Sequence, residues 1–356
     1  MNALALDIAA GALAAVEVRT KGARTRVGRS AVAPLPAGLV VGGEIADGPE
    51  LAAHVRRFWR AAGFRGRRVR LGVANRRVVV RMVDMPSIDD PAERRAAVEQ
   101  AVTEHLPIAA DEAVVDSRAV VRYWSGTESR ERRMIVAAQR AMIDDLVATA
   151  GAAGLQPVGI DLQAFALLRA LAPAPMVIDE GSADAPAVGV CHLGTDVTQV
   201  AVAVDRRCHF TRALDAGAVQ LIDAVAAATG LDAPEAELAI GACGFDGPVP
   251  DGWDADGAGR VRAALARAGQ DAAREVARSL DYYRAQPGAR PIAEVLLSGP
   301  AALIAGLPEH LTGGLGVPVR VGDPRLQIDA AGSLDLATAN RAAVALGLAL
   351  DGPEEP

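Results

Sequence analysis

The sequence reads Leu4-Ala-Leu-Asp7-Ile-Ala-Ala-Gly11-Ala-Leu-Ala-Ala-Val-Glu-Val18 near its start and Val188-Gly-Val-Cys-His192-Leu-Gly194-Thr195-Asp-Val-Thr198-Gln-Val-Ala-Val-Ala-Val204 near its middle. Each stretch is an apolar run, a short turn of small residues and a second apolar run, which predicts a β-hairpin. The tip of such a hairpin directs backbone N–H groups and small hydroxyls at one point, an arrangement that can cradle phosphate. Because the hairpin occurs twice, we predict two like lobes that face each other across a cleft.

Composition limits the classes of protein to which the chain can belong. Its 356 residues, 51% hydrophobic and 23% charged, predict a folded protein long enough for two domains. The net charge of −7 argues against nucleic acid as a main partner. Three scattered cysteines form no disulfide or zinc pattern and fit a reducing compartment. No signal peptide or membrane-spanning run is recognisable, so we expect a cytoplasmic protein.

The region after the first hairpin has an internal order of its own. From Val80 onward the periodicity predicts β-α-β-β-α-β, with helices near 91–106 and 141–153 and a loop at 125–130. Asp90 and Glu93, on either side of Pro91, mark the start of the first of these helices. This order predicts a small ferredoxin-like module inserted in the first lobe at about 84–161.

Composition also places the domain boundaries. We predict a first lobe at 1–172, a linker rich in Ala, Pro, Asp and Gly at 173–186, and a second lobe at 187–350. The second lobe would contain a helical subdomain at about 231–290, a helix over 301–311 after the turn Gly299-Pro300, and a last helix over 338–350. The acidic residues 351–356 are expected to form a disordered tail.

Several short motifs in this order give the chain a family resemblance. They are Val83-Asp-Met85-Pro86, Glu104-His-Leu-Pro107-Ile108, the stretch 153–170, Phe210-Thr211-Arg212, Glu235-Ala236-Glu237 and Leu297-Ser298-Gly299. Over nearly its whole length the chain resembles the PilM family of type IV pilus assembly proteins, which belongs to the actin/hexokinase-like ATPase superfamily. The resemblance implies an α/β protein with mixed sheets and a bilobed, ribonuclease H-like fold that carries the small insert in its first lobe.

The resemblance also implies ligands and partners. ATP with Mg²⁺ would lie in the cleft, and Asp7 would hold the metal through water. The candidate nucleotide-binding residues are Asp7, Ala10, Gly11, Gly194, Thr195, Thr198, Gly217, Glu237 and Gly299. The implied partner is the N-terminal peptide of a PilN-like inner-membrane protein, bound between the first lobe and its insert. Contact with the pilus motor ATPase is a further expectation, and the membrane would be reached only through the partner.

The chain departs from the family pattern where nucleotide would bind. The family's first loop, Asp-Ile-Gly-Ser-Ser-Ser-Val-Lys, is Asp7-Ile-Ala-Ala-Gly11-Ala-Leu-Ala here, without the hydroxyls and the lysine. The Asp-Ile-Gly of the second loop becomes His192-Leu-Gly194, and Gly-Gly at the adenosine turn becomes Gly299-Pro300. Phosphoryl transfer depends on positioning and charge neutralisation. We therefore expect weak or absent ATP binding, little or no hydrolysis, and a scaffold with no catalytic residues.

Other functions remain open at this point. The cleft could still bind and hydrolyse ATP, which would make the protein a nucleotide switch in the same machine. An FtsA-like division protein, a GspL-like type II secretion protein or a small-molecule kinase shares the superfamily. The FtsA-like alternative would call for a C-terminal amphipathic membrane helix, which residues 351–356 do not offer. A kinase would need a catalytic carboxylate and a substrate pocket, and the sequence identifies neither.

Overall fold

The computed structural model of the chain describes residues 2–22, 24–109, 111–172, 186–329 and 334–350. Its first half contains β1 (Asn2–Ala9), β2 (Ala12–Lys21), β3 (Arg24–Pro34), β4 (Val40–Val41), β5 (Glu44–Ile45), α1 (Gly48–Ala61), β6 (Arg68–Val73), β7 (Val78–Pro86), α2 (Pro91–His105), β8 (Ala113–Ser125), β9 (Glu128–Gln139), α3 (Arg140–Ala152), β10 (Gln156–Leu162) and α4 (Gln163–Leu171). Its second half contains β11 (Ala187–Leu193), β12 (Thr198–Val204), β13 (Arg207–Leu214), α5 (Ala218–Thr229), α6 (Ala233–Cys243), α7 (Ala255–Arg284), β14 (Ile292–Ser298), α8 (Leu307–Leu315), β15 (Val319–Val321), a short 3-10 helix (Pro324–Gln327), α9 (Leu336–Arg341) and α10 (Ala343–Ala349).

Each half contains a five-stranded mixed sheet, and the two sheets have the same arrangement. The strand orders are β3-β2-β1-β6-β10 and β13-β12-β11-β14-β15. In both, three antiparallel strands are followed by two parallel ones. The two predicted hairpins are confirmed as β1–β2, where Ala9 pairs with Ala12, and β11–β12, where Leu193 pairs with Thr198. The repeated sheet makes the chain a pair of like lobes.

Helices α1 and α3 pack together in the core of the first lobe. The carboxylate of Asp47 accepts the backbone N–H of Glu50 at 3.0 Å and caps the start of α1, which carries a proline in its first turn. The buried face of α1 includes Leu51, Val55 and Trp59, at the spacing expected for one side of a helix. This apolar face holds α1 against the sheet that carries the first hairpin.

Helices α4 and α10 lie between the lobes and contact both sheets. α10 packs on β1, β2 and β6 of the first sheet. α4 contacts β6 and β10 of the first sheet and β11, β12 and β13 of the second. Their shared core includes Val16 from the first sheet and Val190 and Ala201 from the second. The last helix, predicted as part of the second lobe, therefore packs on the first, and the continuous helix predicted over 338–350 is interrupted at Ala342.

The insert is smaller than the ferredoxin-like module predicted at about 84–161. Its sheet has three strands in the order β7-β9-β8, with α2 in its core. β10, predicted as the fourth strand, pairs in parallel with β6 of the first sheet instead. The reason lies in α3, because its buried Leu146 and Ala150 join the core of the first lobe and bring β10 back to that lobe. The insert therefore comprises β7, α2, β8 and β9.

Smaller parts of the structure also differ from the predicted elements or agree with them. The loop predicted at 125–130 is a tight turn, because β8 extends to Ser125 and β9 begins at Glu128. The helix predicted from residue 301 begins only at Leu307, after turns that end at Gly306, whose φ is 78°. The predicted helical subdomain corresponds to α6 and α7, which pack with α5 and α8. The predicted linker, except Pro186, and the tail at 351–356 lie outside the described residues.

Candidate functional site in the interlobe cleft

The tips of the two hairpins meet across the cleft. Gly11 adopts a φ of 80°, and a Cβ at this position would lie 3.4 Å from the side chain of Thr195. Between the tips is a cavity of about 100 Å³ to which Asp7 and Ala10 contribute from the first lobe, and Gly194 and Thr195 from the second. Four of the predicted nucleotide-binding residues therefore line one cavity, and Gly11 lies beside it.

Asp7 is the buried acid at this cavity. The residue is 6% exposed, and its Oδ1 accepts a hydrogen bond from Nε2 of Gln163 at 2.9 Å. Burial disfavours the charged carboxylate and raises the pKa of Asp7 to about 7. Near neutral pH, a large fraction of the protein therefore carries an uncharged carboxyl at this position.

The second lobe presents an imidazole at the matching position. His192 is buried near the end of β11, and its Nδ1 lies 3.4 Å from Oγ of Ser298. Burial lowers the pKa of His192 to about 4, so the ring is neutral at physiological pH. The carboxylate that does occur at this tip, Asp196, accepts the backbone N–H of Gly42 at 2.6 Å.

A small hairpin from the first lobe covers the cavity. Strands β4 and β5 are joined by Gly42 and Gly43, whose φ values are 57° and 74°. Residues of this hairpin line the cavity, and its Glu44 is held by Nε of Arg77 at 2.8 Å. This hairpin was not predicted, although a Gly-Gly pair between two short apolar runs is a recognised hairpin signal.

The other predicted site residues lie elsewhere. Thr198 and Gly217 border a second cavity of about 640 Å³ beside α5 and α7. There the hydroxyl of Thr198 donates to the carbonyl of Ala216 at 2.6 Å. Glu237 is exposed on α6, and Gly299 packs against the backbone of Leu193; neither lines these cavities. The predicted nucleotide residues are thus divided among several places.

Two further findings concern metals and membranes. Within the described residues, no three His, Cys, Asp or Glu side chains lie together in a way that could hold a metal ion. A search of the same residues finds no helix with the length and apolar character needed to cross a membrane.

Comparison with known proteins places this geometry in a family. The family model described as type IV pilus assembly protein PilM matches residues 5–352. A structure entitled PilM-PilN type IV pilus biogenesis complex matches 98% of this chain and 98% of its own, with a TM-score of 0.81 and 25% identity.

More distant structures share the fold alone. The ethanolamine utilization protein EutJ from Carboxydothermus hydrogenoformans matches with a TM-score of 0.57 and 14% identity, over 99% of this chain and 90% of that one. MreB5 of Spiroplasma citri bound to ADP matches with a TM-score of 0.51 and 14% identity, over 97% of this chain and 94% of that one. The two like lobes are therefore those of an actin-like fold, and the chain belongs to the PilM family of type IV pilus assembly proteins.

Proposed function

We propose that this protein is a cytoplasmic scaffold of type IV pilus assembly that binds the N-terminal peptide of a PilN-like inner-membrane protein. The observation that carries this proposal is the match, over 98% of both chains, to a PilM-PilN complex. The peptide would bind between the first lobe and its insert, and through it the protein would reach the inner membrane. A contact with the pilus motor ATPase is part of the same proposal.

We further propose that the cleft does not bind Mg-ATP productively. Neutralising the charge of a triphosphate requires cations, but the chain's single lysine, Lys21, does not line the cavity between the hairpin tips. Arg77 does line this cavity, but it is already paired with Glu44. The carboxyl of Asp7 is partly protonated, and neutral His192 cannot bind Mg²⁺ as a carboxylate does. These residues do not fit the metal–nucleotide complex.

The dimensions of the space between the hairpin tips support the same conclusion, whereas the cavity of about 640 Å³ beside α5 and α7 is wide enough for a ligand but is lined by neither Asp7 nor His192. The cavity between the hairpin tips measures about 100 Å³. Pockets that enclose small-molecule ligands usually measure roughly 300–1,000 Å³. The β4–β5 hairpin closes this space through the bond from Gly42 to Asp196. At the proposed adenosine turn, Pro300 has no backbone N–H to donate.

Calorimetry of the purified protein with Mg-ATP and with a synthetic PilN-like N-terminal peptide tests both parts. We expect the peptide to bind, a scrambled peptide not to bind, and Mg-ATP to give no detectable heat. Micromolar Mg-ATP binding that changes the affinity for the peptide would overturn the scaffold proposal. Turnover of ATP that is lost in Asp7→Ala would establish the alternative, in which the retained Asp7 serves a nucleotide switch.

A further inference from the structure

A groove separates the insert from the second lobe. One wall is the insert's sheet, including Met82 and Met134, and the other is formed by β13 and the C-terminal end of α7. The groove encloses about 580 Å³. A narrower cavity continues it toward the first lobe and shares Val80 and Thr211 with the wide part.

Both walls carry the edge strand of a sheet. β7 is the end strand of the insert's sheet, and β13 is the end strand of the second-lobe sheet. The narrow part is lined by Val78 and Ala213, and the wide part by Asp84 and Arg207. The two strands therefore run in opposite directions along the groove. An unpaired strand edge offers backbone donors and acceptors to another chain.

The groove has an excess of positive charge in a protein whose net charge is −7. Its charged lining residues, apart from histidine, are Arg81, Arg132, Arg207, Arg290, Asp84 and Asp205. Arg132 binds Asp84 through two hydrogen bonds of 2.9 and 3.0 Å, so this pair is internally neutral. Among the described residues, no carboxylate forms an ion pair with the guanidinium of Arg207 or of Arg290. These two arginines are available to an anionic ligand.

His209 lines the groove and is influenced by charges from both walls. Its pKa is lowered, chiefly by desolvation, and the charges of Arg207, Arg290 and Arg132 lower it further while Asp205 opposes them. Arg132 belongs to the insert and the other two arginines to the second lobe. Carboxylates placed beside Arg207 and Arg290 would therefore meet positive charge that no carboxylate among the described residues of the groove pairs with.

Apolar side chains lie beside these charges. Tyr282 is 55% exposed, and its ring centroid is 5.9 Å from that of Phe210 on the same wall. Val121, on the opposite wall, is 50% exposed. An extended chain directs alternate side chains to opposite sides. A segment of alternating acidic and apolar residues would match both the charges and the apolar surfaces of this groove.

We propose that this groove binds an extended, acidic segment of a partner protein, which adds as a β-strand to one of the two exposed edges. Backbone hydrogen bonds to the edge would supply affinity, and carboxylates near Arg207 and Arg290 would supply selectivity. This segment is separate from the PilN-like peptide proposed above. By bridging the insert and the second lobe, it would also fix their relative position.

The probe for this proposal is an end-blocked octapeptide of alternating glutamate and valine, titrated into the full-length protein. We expect micromolar binding that weakens as salt is raised and falls at least tenfold in Arg207→Glu/Arg290→Glu. A matched control, Arg95→Glu/Arg260→Glu, makes the same charge change at exposed positions of α2 and α7 that do not line the groove, and it should bind like the parent. Thermal melting of all three proteins checks their folding.

Two further probes separate the contribution of charge from that of backbone hydrogen bonds. A lysine–valine octapeptide should not bind, and an octapeptide with N-methylated backbone should bind at least tenfold more weakly than its parent. Hydrogen exchange should slow in β7 or β13 when the acidic peptide binds. Absence of binding at millimolar peptide, or equal affinity for the groove variant and the control, would overturn the proposal.

Discussion

Replacing Asp7 with asparagine should stabilise the protein at pH 8 by roughly 2–4 kcal/mol, which is less than the full conversion of the pKa shift at about 1.4 kcal/mol per unit. Burial raises the pKa of this carboxyl from 3.8 to about 7, so above pH 7 the folded protein holds a buried, desolvated charge. Asparagine removes the charge and keeps an oxygen that can accept the hydrogen bond from Gln163. The stability gained reflects the cost of keeping the charged carboxylate of Asp7 away from water in the folded state.

The sign of the pH dependence follows from proton binding. Between about pH 4 and pH 7 the folded state binds more protons at Asp7 than the unfolded state does, because its pKa there is higher. Stability of the parent therefore falls as pH rises through this window and is lowest, for this group, above pH 7. The stability difference between Asp7→Asn and the parent should be small near pH 4 and largest at pH 8.

Urea unfolding of the parent and the variant at pH 4.5, 6 and 8 measures this difference. Asp223→Asn is the control, because it removes an exposed carboxylate from α5 and should change stability little at any of the three values. If Asp7→Asn gave the same stability difference at pH 4.5 and pH 8, the carboxyl would not carry the raised pKa, and one argument against metal binding would fail with it.

Local patterns in the sequence predicted much of the fold. The two hairpins follow from apolar runs on either side of a small-residue turn, and this information lies within about twenty residues. The pairing of β10 with β6 does not follow from a local pattern, because a strand's neighbour depends on where the preceding helix packs. That is why the sequence placed β10 in the insert. The crossing of α10 to the first lobe was missed for the same reason.

In the candidate site, too, local patterns predict some features and long-range contacts determine the others. The positions of Asp7, Ala10, Gly194 and Thr195 around one cavity follow from the hairpin tips. The bonds that define their environment join residues far apart in sequence, from Gln163 to Asp7 and from Gly42 to Asp196. No local pattern encodes such contacts, so neither the raised pKa of Asp7 nor the position of the β4–β5 hairpin over the cavity could be predicted from the sequence.

The second large effect is expected where α10 crosses α4. Gly347 lies on α10 against α4, and a Cβ built on it would be 1.8 Å from the carbonyl oxygen of Ala166. Real Cβ atoms do not approach backbone this closely, so one helix would have to move. Nε of Arg169 also donates to the carbonyl of Gly347 at 2.9 Å, which ties the two backbones together.

We expect Gly347→Ala to lower the free energy of unfolding by about 3 kcal/mol, at the upper end of the usual cost of overpacking. Intrinsic helix propensity alone would favour alanine by about 1 kcal/mol, so the expected sign is opposite to that of an ordinary helix glycine. The cost is large because these helices share the core that joins the two lobes. Pushing them apart would loosen contacts in both sheets at once.

Gly241→Ala provides the matched control, because Gly241 lies in α6 and a Cβ there meets nothing within 4 Å. This variant should gain about 0.5–1 kcal/mol. Urea unfolding of both variants, followed by circular dichroism, measures the contrast. Equal stability of Gly347→Ala and the parent would mean that α4 and α10 can separate without cost. In that case the interlobe core would not hold the lobes together, and the lobes would be free to move relative to each other.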